Sequence, residues 1–336
     1  MLQILEGFES YEGLTGANLV NAIKSKWVSN IESDWANIIE GHPHGSALQW
    51  VSRETTLGLI FPITCLSKIA FGFAFKIIGC GSSATSSSFL YISAGHLDQC
   101  YLQLNRNGCL EFFGAGTIRG SSSPIPIGTW VFLEFEITVD NSSGSCKIYM
   151  NGDTILDLSS IDTQYATTGI ITSVSIQPLK DACFDNIYIC DDSDGTPTRL
   201  GPLYIEELLP ISDITTDWTP STGVNHFAVV NSFDDSTYLS STTINNSDVF
   251  GFEDLTYLDS NIQGIMQLTR VGIDPLGLRE LEYDCYSGAN SNSGSVNLVS
   301  PVFDSIIHTY TIDPNTSTSW TVSGVNAATF GIKVSD

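Results

Sequence analysis

The sequence predicts an all-β protein built from two tandem β-sandwich (jelly-roll) domains. Several segments alternate apolar residues with small or polar ones at a period of two, which is typical of strands with one buried face. Asn-Gly pairs stand between such segments, as they do in tight hairpins. The chain has 336 residues, 42% of them hydrophobic, which is enough for two cores rather than one.

The first half begins with one short helix and continues as strands. Leu19, Ile23 and Trp27 recur at helical spacing, which predicts a helix over about 17–25. The clearest strand covers 69–77, where large apolar residues occupy every second position. Further strands are predicted over 101–104, 109–113, 130–140, 147–150, 153–156, 174–179 and 184–190.

A polar segment rich in turn-forming residues separates the two halves. It covers 191–198 and is followed by a predicted crossing strand over 203–209. The predicted domains are therefore residues 1–200 and a smaller one over 201–336. In the second domain, strands are predicted near 226–231, 262–272, 279–286, 296–300, 307–313 and 329–334, and a short helix near 322–328.

The charge balance argues against some partners. The chain carries 37 acidic and 13 basic residues, a formal net charge of -24. Nucleic-acid phosphates are bound by cationic surfaces, so we expect no nucleic-acid partner. An anionic membrane surface is disfavoured for the same reason. We also expect no targeting or membrane-spanning segment, because no apolar stretch has the required length and flanks.

Eight cysteines are present, without a CxxC pair or a Cys/His set at zinc spacing. We expect buried, reduced thiols in a protein that folds in a cytoplasm. Disulfide pairing stays open at this stage, because connectivity cannot be read from sequence.

Several short segments occur along the chain in a recognisable order. In the first half they are Gly7–Tyr11, Lys26–Trp27, Gly45–Leu48, 69–77, Leu104–Leu110, Gly128–Phe135, Tyr149–Gly152 and Phe184–Ile189. In the second half they are Asp217–Ser221, Ser319–Val322 and Val325–Ala327. With these segments, the first 200 residues resemble the concanavalin A-like, laminin-G-like jelly roll. The whole chain resembles a group of bacteriophage virion proteins that carry this jelly roll.

The resemblance implies a structural protein of the virion surface that is synthesised in the host cytoplasm. Its expected role is capsid decoration, as a head auxiliary protein acting through protein–protein contacts. The expected partners are the major capsid protein or tail proteins, together with further copies of the chain in a homo-oligomer. The alternative is a tail or baseplate appendage that binds a host glycan as a lectin does.

A jelly roll of this class can be a glycosidase, so we searched for paired carboxylates. The family pattern is Glu-x-Asp-x-Glu on one strand face, and retaining enzymes hold two carboxyls about 5–5.5 Å apart. Glu134 and Glu136 are the nearest candidates, but Thr138 stands in the place of the third acid. The sequence therefore predicts no enzyme. Trp130 shares the face, so Trp130, Glu134 and Glu136 form a candidate glycan contact.

Loop carboxylates raise the possibility of a Ca²⁺ site. Asp185, Asp191, Asp192 and Asp194 supply the right ligand type, without the EF-hand spacing. The simpler interpretation is a solvated acidic loop, and no other cofactor is expected. Ser-His-Asp chemistry has little support, because no Gly-x-Ser-x-Gly elbow occurs and His226 and the other histidines are scattered.

Overall fold

The chain folds into two compact units, Met1–Glu206 and Glu207–Asp336. The structure is a computed structural model that describes residues 1–29, 36–51, 58–79, 87–231, 235–258, 261–273, 279–298 and 303–335. Strands account for most of the regular structure, and they pair in antiparallel sheets that pack as sandwiches. The predicted all-β sandwich class is confirmed. In the described part of the chain, no helix has the length and hydrophobicity needed to span a bilayer.

The first unit contains one α-helix, α1 (Gly16–Lys26), where the spacing of Leu19, Ile23 and Trp27 predicts it. A 3-10 turn, Glu9–Tyr11, precedes it. The strands of this unit are β1 (Leu2–Glu6), β2 (Val28–Ser29), β3 (Ala36–Glu40), β4 (Ser46–Trp50), β5 (Leu59–Cys65), β6 (Lys68–Ile77), β7 (Ser87–Ala94), β8 (Leu97–Leu104), β9 (Cys109–Gly114), β10 (Thr117–Pro124), β11 (Val131–Thr138), β12 (Gly144–Met150), β13 (Asp153–Ile161), β14 (Ile171–Ile176) and β15 (Ala182–Asp191).

Two sheets form the first sandwich. One has the order β13-β12-β11-β6-β15-β4-β3, with β1 paired to β15, and the other has the order β10-β9-β8-β7-β14-β5-β2. Aromatic side chains fill the space between them. Phe75 of β6 stacks on Phe89 of β7 at a ring distance of 5.7 Å, and Phe73 stacks on Phe135 at 5.5 Å. These phenylalanines are fully buried, so the core lies on the odd-numbered face of β6.

The other face of β6 carries Ala70, Gly72 and Ala74, and it is also buried. Tyr188 of β15 and Phe132 of β11 lie over these small residues as part of a second apolar cluster. Small residues are needed here because larger ones would occupy the volume of those rings. The near-continuous burial of β6 therefore reflects two layers, the core on one face and the cluster on the other.

The second unit contains two short helices, α2 (His226–Val230) and α3 (Val322–Ala327). Its strands are β16 (Pro210–Thr216), β17 (Thr219–Pro220), β18 (Leu239–Ser240), β19 (Ser247–Phe252), β20 (Ile265–Val271), β21 (Arg279–Ser287), β22 (Asn290–Leu298), β23 (Asp304–Tyr310) and β24 (Thr329–Val334). Five strands form a sheet of order β16-β19-β24-β21-β22, and β20 pairs with β23. Tyr310, Trp320, Phe330 and Cys285 belong to the core of this unit.

Three sequence predictions in this region need correction. The segment 203–209 is not a strand, because its backbone pairs with no other strand in the described residues. Its apolar side chains are buried instead by packing, Leu203 against the Tyr188 cluster and Leu208 against the Trp320 cluster. The segment 226–231 forms α2, because the Asp213 carboxylate accepts the backbone N–H groups of His226 and Phe227 at the helix start. The strand predicted near 296–300 begins at Asn290, where Ser and Asn hide the periodicity; positions 299 and 300 lie outside the described residues.

The cysteines in the described part of the chain are all unpaired, and Cys80 lies outside that part. Six of the seven are buried and one, Cys109, is partly exposed. Burial raises the pKa of Cys65 and of Cys285 to about 12, and that of Cys183 to about 11. Such thiols are protonated at neutral pH and act as small apolar side chains.

Gly72 gives the first testable prediction. A Cβ at this position would lie 2.6 Å from a ring carbon of Tyr188 and 3.0 Å from Cγ of Glu134. We expect Gly72→Ala to destabilise the first unit by about 1–3 kcal/mol, because both neighbours are buried and cannot move away. Hydrogen exchange of the β6 and β11 amides under mild denaturant measures this. Gly79→Ala is the control, since nothing lies within 4 Å of its Cβ position. Equal effects of the two changes would contradict the packing argument.

Candidate functional site

The outer face of the β6–β11–β12 sheet is covered in part by the segment 196–206, which we call the strap. Leu200 and Leu203 of the strap pack against the cluster that contains Phe132 and Tyr188. In the described residues the strap pairs with no strand. Side-chain packing, and not backbone hydrogen bonding to a sheet, therefore keeps it in place. This places the strap directly over the face on which the sequence predicts a glycan contact.

Glu134 lies beneath the strap and is completely buried. Its Oε1 accepts hydrogen bonds from the Tyr188 hydroxyl at 2.7 Å and from the backbone N–H of Gly201 at 2.9 Å. Its Oε2 accepts from Arg199 Nη1 at 2.7 Å, which is also an ion pair. A buried carboxylate is tolerated only with such partners. Glu134 therefore fastens the strap to the sheet and presents no oxygen to a sugar.

Arg199 connects Glu134 to Glu136. Its guanidinium carbon lies 3.6 Å from the ring centroid of Tyr149, and the Tyr149 hydroxyl donates to Glu136 Oε2 at 2.7 Å. Partial burial, together with this hydrogen bond, raises the pKa of Tyr149 to about 12. Glu134 and Glu136 thus share one network through a cation and a ring. No periodic pattern marks Arg199, which stands in a polar, turn-rich segment.

Beside the strap lies a polar groove of about 210 Å³ on the same sheet face. Its lining includes Glu136, Thr138, Lys68 and Lys147, while Thr196 and Pro197 of the strap form one wall. Lys147 pairs with Asp157 at 3.1 Å. Lys68 makes no ion pair with any residue in the described ranges. The groove therefore offers a carboxylate, hydroxyl and ammonium groups to a small polar ligand.

Trp130 does not share this groove. It stands at the start of β11, six residues before Glu136, which corresponds to roughly 20 Å along a strand. Trp130 is half-buried, with His42 at a ring distance of 5.5 Å and Lys76 Nζ 5.8 Å from its ring centroid. The structure thus brings together Glu134 and Glu136 from the predicted glycan contact, whereas Trp130 packs against the cluster of Phe132 and Tyr188 and does not line the groove.

The four candidate Ca²⁺ ligands do not converge on one point, although Asp191 and Asp194 both pair with the Met1 ammonium, at 3.1 and 2.6 Å. Asp185 lies near one end of β15 and Asp191 at the other, again roughly 20 Å apart by strand rise. Asp192 accepts hydrogen bonds from three consecutive backbone N–H groups, those of residues 66, 67 and 68. Asp191 accepts from the backbone and hydroxyl of Ser193. Over the described residues, no group of three or more metal-ligating side chains occurs.

Asp185 has a structural environment of its own. It is fully buried and accepts backbone N–H bonds from His42 and Asn186, both at 2.7 Å. Asn186 in turn donates to the His42 carbonyl and accepts from the Ile205 N–H at the end of the strap. Burial raises the pKa of Asp185 to about 8, against these two hydrogen bonds. This pair therefore ties the loop at His42 and the strap to β15.

Sequence reasoning missed a buried His–Asp pair in the second unit. His226 Nδ1 lies 2.5 Å from Asp248 Oδ2, and the other oxygen of Asp248 accepts the backbone N–H of Trp218. The two residues are 22 positions apart, so no local motif marks the pair.

A separate open cleft of about 660 Å³ in this unit is lined by Trp320, Leu258, Val322, Asn261, Thr321, Ser323 and Asn326. Trp320 is almost fully buried there, so its ring offers no stacking surface.

Comparisons with known proteins bear on the fold. No family model matches the chain, and no curated protein matches it. Among solved structures, a sialidase is similar with a TM-score of 0.40 and 10% identity, over 57% of this chain and 19% of the sialidase. Alginate lyase Aly36B is similar with a TM-score of 0.37 and 15% identity, over 55% of this chain and 95% of the lyase.

A third structure is domain 4 of AbnA, a GH43 extracellular arabinanase from Geobacillus stearothermophilus, in complex with arabinotriose. Its TM-score is 0.38 and its identity 17%, over 59% of this chain and 94% of the domain. The expectation that the chain is not an enzyme is wrong, because the similar structures are a sialidase, an alginate lyase and a domain of an arabinanase. A missing third acid on one strand does not exclude catalysis.

Glu134 gives the second prediction. We expect Glu134→Gln to lower the stability of the first unit by about 2–4 kcal/mol, because Arg199 and Tyr188 lose a buried anionic partner. The strap amides near Gly201 should then exchange faster with solvent, which hydrogen exchange can measure. Glu136→Gln is the matched control and should cost about 1 kcal/mol or less, since Glu136 is half-exposed. Unchanged exchange in the strap of the Glu134 variant would contradict this role.

The third prediction concerns pH. The pKa of Asp185 is about 8 when folded and near 4 when unfolded, so its contribution is greatest at low pH and is lost as the pH rises to 8. The stability advantage of the natural chain over Asp185→Asn should therefore increase as the pH falls from 8 to about 5, as measured by urea unfolding.

Asp192→Asn provides a control of opposite sign. Partial burial alone would raise the pKa of Asp192, but three backbone amides hold it below its ordinary value. The advantage of the natural chain over this variant should be present above pH 4 and lost below it. If both variants showed the same pH trend, the assignment to Asp185 would be wrong.

Proposed function

We propose that this chain is a structural protein of a bacteriophage particle, acting at the virion surface as a capsid decoration protein. The observation that carries the proposal is the strap that covers part of the outer face of the first sandwich. There the strap covers the sheet and Glu134 is fully engaged by Tyr188, Arg199 and Gly201. The carboxylate best placed for sugar chemistry serves instead to hold the chain's own segment in place. The sequence resemblance to virion proteins spans both units and agrees with this.

Exposed apolar side chains support a role in protein–protein contact. Strand β16 lies at a sheet edge, and Ile211 and Ile214 on it are 52% and 59% exposed. In the first unit, Ile118 and Ile127 are also about half exposed. Burying such apolar side chains against a partner lowers the free energy of the complex. The expected partners are the major capsid protein or tail proteins, with further copies of this chain.

Locating the protein in intact particles by cryo-electron microscopy tests this fourth prediction. We expect density for both sandwiches on the outside of the head, at regular positions on the capsid lattice. Particles assembled without the protein should lack that density and should lose their genomes at lower temperature. Purified particles in which the protein is undetectable by mass spectrometry would contradict the proposal.

The polar groove favours a second candidate, glycan binding by a tail or baseplate appendage. Glu136, Lys147 and Lys68 offer charged groups around a space of the size of a single sugar-like unit, below the roughly 300–1,000 Å³ of common ligand pockets. The free Lys68 ammonium favours a sugar that carries a carboxylate.

A glycan array with and without Ca²⁺ tests the second candidate. Binding should fall at least tenfold in Lys68→Ala, while Lys180→Ala, a change on an exposed residue away from the groove, should have no effect. Release of reducing ends from a bound polysaccharide would add catalysis to this role. An array that stays blank in both conditions would remove it.

A further inference from the structure

Strand β22 lies at the edge of the five-stranded sheet in the second unit. It pairs with β21 over nine consecutive positions, from Ser287 opposite Asn290 to Arg279 opposite Leu298, without a bulge. On its other side, no strand in the described ranges pairs with it. Asn290, Ser291, Asn292, Ser293 and Ser295 are exposed. Its outward N–H and C=O groups therefore form a regular template for another strand.

Natural proteins usually protect such edges with charge, proline or bulges. The longer edge strands elsewhere in the described chain follow this rule. β16 has Pro210, Asp213 and two register shifts, and β10 has Arg119, Pro124 and two register shifts. β13 carries two aspartates, β3 and β1 end in glutamate, β20 contains an arginine and β23 begins with an aspartate. β22, with the sequence NSNSGSVNL, has none of these features.

We propose that β22 is the contact strand of a homodimer, in which the β22 strands of two copies pair antiparallel across a two-fold axis. The two five-stranded sheets then become one continuous sheet of ten strands. This inference rests on the edge itself and does not depend on the virion assignment. A two-fold axis requires a contact strand that is complementary to itself.

The side chains of β22 meet that requirement. With Ser293 opposite Ser293 of the second copy, Ser291 of each copy faces Ser295 of the other. The Ser293 hydroxyl already donates to Glu282 of its own copy. Each hydroxyl of Ser291 and Ser295 can both donate and accept, so the two Ser291–Ser295 pairs bond in either direction. Cross-strand pairs of this kind contribute roughly 0.2–1 kcal/mol each. β22 contains no charged residue, so antiparallel pairing of two copies places no like charges opposite each other.

Electrostatics favours this strand as the place where two copies meet. The chain has a formal net charge of -24, so most of its surface repels a second copy. The nearest acids, Glu280, Glu282 and Asp284, lie on β21, one strand inward. Glu282 accepts a hydrogen bond from Ser293 of β22, and Lys333 balances its charge at 2.5 Å. In the dimer the two β21 strands are three strand spacings apart, about 14 Å. That distance exceeds the screening length of about 8 Å at physiological ionic strength.

The interface is small. A single strand edge buries less than the roughly 1,200–2,000 Å² of a standard interface. We therefore expect association in the micromolar range in solution. Copies held near one another on a larger assembly would pair far more completely, because the second contact becomes effectively intramolecular.

The fifth prediction tests this with the full chain. Sedimentation equilibrium between about 1 and 200 µM should show a monomer–dimer equilibrium. Asn292→Lys should weaken dimerisation at least tenfold, because the two ammonium groups would lie on the same face as diagonal neighbours across the axis, about 7–8 Å apart. Thr242→Lys adds the same charge on an exposed loop and should leave dimerisation unchanged. Circular dichroism and thermal melting establish that both variants are folded.

Hydrogen exchange of the unaltered chain gives a second, independent measurement. Protection of the β22 amides should increase with protein concentration, while the amides of the edge strand β16 should not change. A peptide of sequence NSNSGSV should compete with dimer formation. A chain that is monomeric at every concentration, or a dimer that keeps its strength in Asn292→Lys, would overturn the proposal. Protection of β22 by another particle protein while this chain stays monomeric in the complex would also overturn it, and would assign the edge to a different chain.

Discussion

The first unit depends on a carboxylate that has been removed from water. Glu134 is buried on the outer face of a sheet, where Tyr188 and Arg199 supply its hydrogen bonds and the Gly201 N–H completes them. An isolated charge in that position would cost several kcal/mol. The network is therefore stable only when the strap is in place, and the strap is in place only when the network is formed. Ala70, Gly72 and Ala74 of β6 are small enough to leave room for the rings of Tyr188 and Phe132 above them.

This constraint changes what the outer face can do. A sugar lying flat across β6 and β11 would have to displace Leu200 and Leu203, whose side chains complete a buried cluster. The groove beside Pro197 stays open, and it is small and polar. A fold by itself leaves the chemistry of a protein undetermined. The arrangement of the strap decides which part of the face a ligand can reach.

The second unit is governed by its edges and its charge. Acidic residues keep most of the surface apart from other copies of the chain, and bulges or charged side chains protect most sheet edges. β22 combines a long regular edge with the absence of charge. Because the rest of the surface is strongly acidic, an uncharged strand is the part of the surface where a second copy meets the least electrostatic repulsion.

The sequence alone predicts the fold class, α1, and the strands whose periodicity is strong, such as β6, β11 and β21. These features follow from local spacing, which a linear chain displays directly. It could not identify the strap, because its apolar residues are packed by side chains without a strand partner. Nor could it distinguish a solvated glutamate from a buried one at position 134. Arg199 lies 65 residues from Glu134 in sequence, and only tertiary packing brings them within 2.7 Å and removes the water between them.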